Sequence, residues 1–404
     1  MSRSRALALL VLTATIFIVA FPEVSFRASL DGLKLWFEIV LPALLPFFIM
    51  ADLLMGLGVV HFIGSLLEPI MRPLFRIPGV GGFAVAMGLA AGYPLGAKIT
   101  GELKRQNLLT GVEAERLLSF ANTADPLFIV GAVAIGMFKL PELGLTLVLA
   151  HYAGAILVGF FLRFHRGEES LIIKSRGSYL RKAFRSLDEA RRKDGRSLGQ
   201  LFGDSVQSTF QAMLFIGGCI MVFSVLTRVL NVSGLLAPFN YLTAGLLSFF
   251  SLDSNIAPAV VAGFFETTLG AQTASVSSAP LQTRAVITSL VMGWSGLSVH
   301  SQVAALLAGT KIRLTPYLLA RILHGIFAAL ITGLLLGPAD FIPTSLGRIL
   351  PVFAQPAFSG ATFPMRLLAS TRLMVSMTFI FVIIFSFLWL IRRIIYVSFR
   401  KRRS

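Results

Sequence analysis

Long apolar runs interrupted by short polar clusters set the pattern of this chain. Residues 5–21, RALALLVLTATIFIVAF, form the first run behind Arg3 and Arg5. A cleaved signal peptide is the alternative, but no small-x-small site stands before Phe21-Pro22-Glu23, so the run predicts an uncleaved transmembrane helix. At the other end, residues 373–391 are 19 uncharged positions followed by Arg392, Arg393, Arg400, Lys401, Arg402 and Arg403. That pattern predicts a spanning helix with a basic cytoplasmic flank. Between Arg163 and Arg196 the pattern reverses: 11 Lys/Arg and 5 Asp/Glu fall within 34 residues and no long apolar run intervenes. This stretch predicts a cytoplasmic loop, with an amphipathic helix on the lipid surface.

The segments on either side of that loop resemble one another. Phe37 in WFEIVLPALLPFF matches Phe210 in TFQAMLFIGGCIM, and Leu95-Gly96-Ala97 matches Leu269-Gly270-Ala271. SFANTADPLFIVGAVA (119–134) falls on MGWSGLSVHSQVAALL (292–307), and Gly154 on Gly325. The offsets cluster at 171 to 174, which predicts a duplication. With the N-terminus inside, the two copies run through the membrane in opposite senses. Loop charges agree: Arg72, Arg76, Lys98, Lys104 and Arg105 in the first copy face uncharged stretches in the second, while residues 311–313, KIR, face only Lys139. Arg228 and Arg284 are the exceptions, landing on the expected outer side.

The division expected is an N-terminal transmembrane helix (1–30), a first repeat (31–162), a basic cytoplasmic loop (163–200), a second repeat (201–337), a loop (338–370) and a C-terminal transmembrane helix with a basic tail (371–404). The fold class is all-α: a polytopic integral membrane protein with two inverted-topology repeats and roughly eight to ten membrane-embedded segments.

Composition sharpens this picture. Of 404 residues 55% are hydrophobic and 14% charged, against roughly 25% charged in soluble domains. The formal charge of +17 could suggest nucleic acid, but the basic residues cluster outside the apolar runs, as retention on the cytoplasmic side requires. No nucleic-acid partner is expected. Cys219 is the single cysteine and lies in an apolar run, so neither a disulfide framework nor a thiol metal site is expected.

Polar residues inside grease carry the chemistry. AAGYPLGAKITG (90–101), SFANTADP (119–126), GFFETTLGAQTASVSS (263–278) and GWSGLSVHSQ (293–302) each predict a helix break or re-entrant tip. Such breaks persist in a membrane only where protein or a water-filled cavity surrounds them. Helix N-termini at breaks attract anionic groups, so a polar or anionic solute is expected. The candidate substrate-binding residues are Tyr93, Lys98, Asn122, Thr123, Asp125, Glu266, Thr267, Thr268, Gln272, Ser295, Ser298, His300 and Gln302. Glu266 reads either as a coupling group for a proton or cation or as half of a structural ion pair. Asp125, before Pro126, reads as a helix cap, and Lys98 as a substrate contact or a topology charge. His151, His324 and Arg321 are expected to pack or snorkel. Asp52, Glu68 and His61 receive no role.

The GYPLGAKITGEL, SFANTADPLFIVGAVA and GAQTASVSSAPLQTRAVITSLVMGWSGLSVHSQVAALL segments, with the basic central loop, resemble the YlbJ-type sporulation integral membrane proteins of endospore-forming bacteria. The resemblance covers nearly the whole chain and implies two copies of the nucleoside recognition, or Gate, domain, similar to the hairpin-containing part of concentrative nucleoside transporters. It also implies a role in late sporulation: moving dipicolinic acid across the outer forespore membrane toward the spore, with defective cortex on loss. The Gate label points to nucleosides as the alternative cargo.

No HExxH, GxxxxGK[ST] or GxSxG motif occurs, so no catalytic residue, cofactor or metal is expected, nor ATP-driven pumping by this chain alone. A membrane enzyme and a sporulation scaffold are the other classes. The partners expected are a small anionic solute and the lipid bilayer, with a homo-oligomer or other sporulation membrane proteins left open.

Overall fold

The computed structural model describes residues 3–166, 179–249 and 253–336. The expected C-terminal helix and the loop before it lie outside these residues. Among the described residues all regular structure is helical. The helices are α1 (Arg3–Ala20), α2 (Pro22–Lys34), α3 (Leu41–Gly56), α4 (Val59–Phe75), α5 (Gly81–Ala91), α6 (Leu95–Arg105), α7 (Gly111–Ala121) and α8 (Leu143–Leu162) in the first part. The second holds α9 (Tyr179–Asp194), α10 (Leu198–Val232), α11 (Ala237–Phe249), α12 (Ala257–Phe265), α13 (Thr267–Val276), α14 (Leu281–Trp294), α15 (Gly296–Leu306) and α16 (Leu314–Leu336). Leu35–Val40 and Leu127–Met137 are π-helical.

The protein is an integral membrane protein. Among the described residues α8, α10 and α16 are long and apolar enough to cross a bilayer, and two bent pairs bring the number to five if each is one span. One pair, α1 with α2, turns by 104°; the other, α3 with α4, by 83°. Gly58, at φ 82, makes the second turn. Helix starts follow local chemistry. Thr110 accepts the Glu113 amide while Glu113 accepts the Thr110 amide, and Ser197 with Gln200 does the same at α10. These capping boxes fix where two helices leave the loops.

A helix order occurs twice: α5, break, α6, α7, break, a π-helical segment, α8; then α12, break, α13, α14, break, α15, α16. The two sets interlock reciprocally. Helix α7 packs on α16 and α14 on α8, while α8 and α16 cross each other. Helices α14 and α16 meet through Gly293 and Gly325: a Cβ on Gly293 would lie 2.5 Å from the Gly325 Cα. Any side chain there forces the helices apart, as at small-residue crossings in membranes generally.

The basic loop does form an amphipathic helix, α9, with Leu180, Ala183, Phe184 and Leu187 at i, i+3, i+4 and i+7. Its stripe packs in part on α4: Ala183 is buried, while Leu180 and Phe184 are each 54% exposed. Phe184 meets Phe62 with ring centroids 5.0 Å apart, and Ser186 pairs with Ser65 at 3.3 Å.

Candidate functional site

The four sequence breaks become four chain interruptions that meet in pairs. In the first repeat α5 ends at Gly92 (φ 74), and after Tyr93 and Pro94 the chain re-enters as α6. Residues Asn122 to Asp125 interrupt the chain again after α7. The two interruptions touch: a Cβ on Gly92 would lie 2.6 Å from an Asp125 carboxylate oxygen. Asp125 Oδ1 accepts the Phe128 amide at 2.9 Å, the capping role expected of it. In the second repeat Glu266 is extended between α12 and α13, and its carboxylate accepts the Leu269 amide at 2.6 Å. Ser295 is left-handed (φ 76) between α14 and α15, with Gly296 at φ 75. Here too the interruptions touch, since a Cβ on Gly296 would lie 3.0 Å from the Thr267 nitrogen.

Side chains join the two pairs. The Tyr93 hydroxyl of the first repeat faces Glu266 and Thr267 of the second, although neither it nor Thr267 Oγ1 has a hydrogen bond of good geometry. Asn122 Nδ2 donates to the Tyr317 hydroxyl at 3.0 Å, and His300 Nδ1 lies 3.3 Å from the same hydroxyl. Arg321, fully buried, donates to the Asn122 carbonyl at 2.5 Å and the Ser119 carbonyl at 3.1 Å. It also contacts His324 Nδ1 at 2.7 Å and lies over the Tyr317 ring, 5.8 Å from the centroid. A guanidinium only donates, so Nδ1 accepts, and His324 carries its proton on Nε2, donating it to the His151 carbonyl at 2.7 Å. His151 Nε2 accepts the Ala124 amide at 3.0 Å, which places the His151 proton on Nδ1. The two imidazoles lie 4.4 Å apart at the crossing of α8 and α16.

Six buried polar atoms in this region have no hydrogen-bond partner of good geometry: Tyr93 Oη, Asn122 Oδ1, His151 Nδ1, Thr267 Oγ1, His300 Nε2 and Arg321 Nε. Buried polar atoms are nearly always paired, so this group around one set of chain breaks makes the region the candidate site. Among the described residues no carboxylate forms an ion pair with Arg321, and no cluster of His, Cys, Asp or Glu could hold a metal ion.

Of the residues expected at the site, Tyr93, Asn122, Thr123, Asp125, Glu266, Thr267, Thr268, Ser295 and Ser298 lie on the four interruptions or the first turns after them, and His300 and Gln302 lie in the second turn of α15, with His300 beside Tyr317. Thr123 donates to the Gly88 carbonyl at 3.3 Å, and Gln302 to Ser298 at 3.4 Å. Lys98 and Gln272 lie elsewhere. Lys98 is gripped by both Asp52 oxygens, at 2.8 and 2.9 Å, and lines a cleft of about 710 Å³. Gln272 lines a second cleft of about 330 Å³. Tyr317 is the residue not expected here, while Arg321 is buried among its neighbours, the packing outcome expected of it. Arg321 neither snorkels nor faces lipid, and its signal was a lone cation within a 23-residue apolar helix.

The chain is 44% identical over 333 residues to the sporulation integral membrane protein YlbJ of Bacillus subtilis (strain 168), an alignment covering 81% of each. The chain belongs to the YlbJ family. The family model described as Gate, nucleoside recognition, matches residues 37–140, which include the first pair of interruptions. An uncharacterized protein of Alkalihalophilus pseudofirmus, BpOF4_10220, is 33% identical over 129 residues, 30% of this chain and 27% of that one. Among solved structures, CNTnw in an inward-facing substrate-bound state superposes with a TM-score of 0.44 at 14% identity, covering 84% of this chain and 87% of that one.

Proposed function

We propose that this protein is a secondary transporter of a small anionic solute, dipicolinic acid, acting in the outer forespore membrane during sporulation and needed for the spore cortex. Arg321 carries the reading. An unpaired charge in a membrane interior costs several kcal/mol, and two main-chain carbonyls with a neutral histidine offset only part of that for a guanidinium. A carboxylate completes the set by accepting the free Nε–H in a charge-assisted hydrogen bond. The interrupted helices supply further amide donors, and the repeated helix order supplies the two halves that move against each other. A small dicarboxylate on an aromatic ring fits a site with a guanidinium, an imidazole and the Tyr93 and Tyr317 rings. A nucleoside is the second reading, favoured by the Gate description of residues 37–140.

The test is uptake of dipicolinate, with uridine as comparison, into proteoliposomes holding the purified protein. Saturable dipicolinate uptake, reduced by Arg321→Gln, Glu266→Gln and Asn122→Ala, is the expected result. Uptake of uridine alone would replace the anion by a nucleoside. Uptake of neither by folded, inserted protein would overturn transport in favour of a scaffold role.

A further inference from the structure

The two clefts lie at opposite ends of one helix. Asp204, Ser205 and Ser208 of α10 line the larger, and Ser224, Thr227, Arg228 and Asn231 of α10 line the smaller. Ser208 and Thr227 are separated by about 28 Å along α10 at 1.5 Å per residue, against a hydrocarbon thickness of roughly 30 Å. The larger cleft is walled by the basic helix α9 and holds Lys98, which sets it on the cytoplasmic side. The smaller cleft therefore opens on the other side.

The clefts also correspond between repeats. Each is lined by the helix that follows the first interruption of its repeat: Lys98 and Glu102 of α6 in one, Gln272 and Thr273 of α13 in the other. Lys98 and Gln272 differ by 174 positions, the offset that aligns Leu95-Gly96-Ala97 with Leu269-Gly270-Ala271. The two faces differ in how far their polar groups are satisfied. On the cytoplasmic side Lys98, Asp52 and Ser208 close a network at 2.7 to 2.9 Å. On the outer side Thr227 Oγ1 and Asn240 Oδ1 are buried, line the cleft and have no hydrogen-bond partner; Thr227 is 6% exposed. Arg228 stands at the same cleft with only a loose contact to Asp31, 3.7 Å, both side chains more than half exposed. Leu35, Leu236 and Val261 supply apolar walls.

We propose that the outer cleft is an admission site for a carboxylate solute, which Arg228 binds by displacing Asp31 while the Thr227 hydroxyl and the Asn240 side-chain Nδ2 donate to its remaining oxygens. The inference rests on the transport reading above and goes beyond it, because this site lies apart from the cluster around Arg321. It also accounts for a cation on the face where loop charge is otherwise sparse.

Three measurements test it, and the single native cysteine, Cys219 on α10, makes the labelling clean once replaced by serine. In that background a cysteine at Asn240 is expected to react with a membrane-impermeant maleimide applied from outside, and pyridine-2,6-dicarboxylate to protect it. A cysteine at Ser208 is expected to react only from the cytoplasmic side. In proteoliposomes, Arg228→Gln is expected to raise the half-saturation concentration for dipicolinate about fivefold with little change in maximal rate, the scale of one exposed charge-assisted contact. Saturable wild-type uptake indifferent to Arg228→Gln, with no protection of position 240, overturns the admission site and leaves transport standing. Protection of position 240 without any wild-type uptake overturns the transport reading and upholds a binding site. Labelling of positions 208 and 240 from the same side overturns the placement of the clefts on opposite faces.

Discussion

Arg313 and Arg321 sit one helical stretch apart, and both tie the second repeat to the first, yet they do so with opposite chemistry. Arg313 holds the Glu115 carboxylate through two hydrogen bonds, at 2.6 and 2.7 Å, with His165 on the same carboxylate at 2.9 Å. Its side chain is 45% exposed. Arg321 is fully buried and holds carbonyls and an imidazole instead. A guanidinium that water still reaches, and that already has its anion, is a clasp. One sealed from water without a carboxylate partner is, on the transport reading, the group left for the solute.

The largest effect is expected at Arg321. Arg321→Met leaves the Asn122 and Ser119 carbonyls without their donor and is expected to abolish dicarboxylate uptake and cost about 3 kcal/mol of stability or more. Arg321→Lys, which keeps the charge and loses the fork, is expected to hold the fold better than it holds transport. Equal recovery of both in the lysine variant would break the contrast. Thermal unfolding in detergent, read beside uptake, decides.

Next comes the crossing that sets Arg321 in place. Gly325→Val drives a branched side chain into the Leu290 carbonyl, 2.8 Å from the Cβ position, and is expected to cost roughly 2–3 kcal/mol, as overpacking does. Yield of monodisperse protein and unfolding temperature measure it.

The clasp is weaker. Glu115→Gln is expected to cost roughly 1 kcal/mol, discounted because Arg313 is open to solvent screening, and to leave the half-saturation for solute unchanged. The same carboxylate sets an acid limb. Burial alone would push the Glu115 carboxyl up, but the Arg313 and His165 hydrogen bonds outweigh it and hold it down at about 2. A carboxyl held low in the folded state binds fewer protons there than in the unfolded chain. Its contribution is complete above the ordinary carboxylate value and is lost as pH falls from there toward about 2. Unfolding temperature followed against pH is expected to drop through that window in the wild type and less steeply in Glu115→Gln.

The smallest effect concerns neither arginine. Trp36→Phe removes one hydrogen bond, from the indole to the Met213 carbonyl at 2.9 Å, and is expected to cost about 1 kcal/mol without affecting uptake.

The interruptions were legible in the sequence because glycine, proline, serine, threonine and asparagine inside apolar runs have few uses other than ending a membrane helix. Tyr93, Asn122, Glu266 and Ser295 could therefore be placed at the site by local chemistry alone. Arg321 could not, because its meaning depends on Ser119 and Asn122, some 200 positions away, and a lone arginine near a helix start also reads as an interfacial anchor. Lys98 and Gln272 stand apart for a different reason. They belong to the same motifs as the site residues, but a few positions along a helix carry a side chain from the break to the cleft beyond it. The stripe of α9 was plain, while its partner α4 lies more than 100 residues upstream and no periodicity names it.

Helix α10 behaves as a beam resting on a bearing. Gly217 sits against the Trp36 ring, where an added Cβ would lie 2.7 Å from it, and Ser208 and Thr227 extend about 14 and 15 Å to either side. Tilting such a beam by about 10° carries each end about 2.5 Å, in opposite directions. The two clefts, about 710 and 330 Å³, thus share one rigid wall.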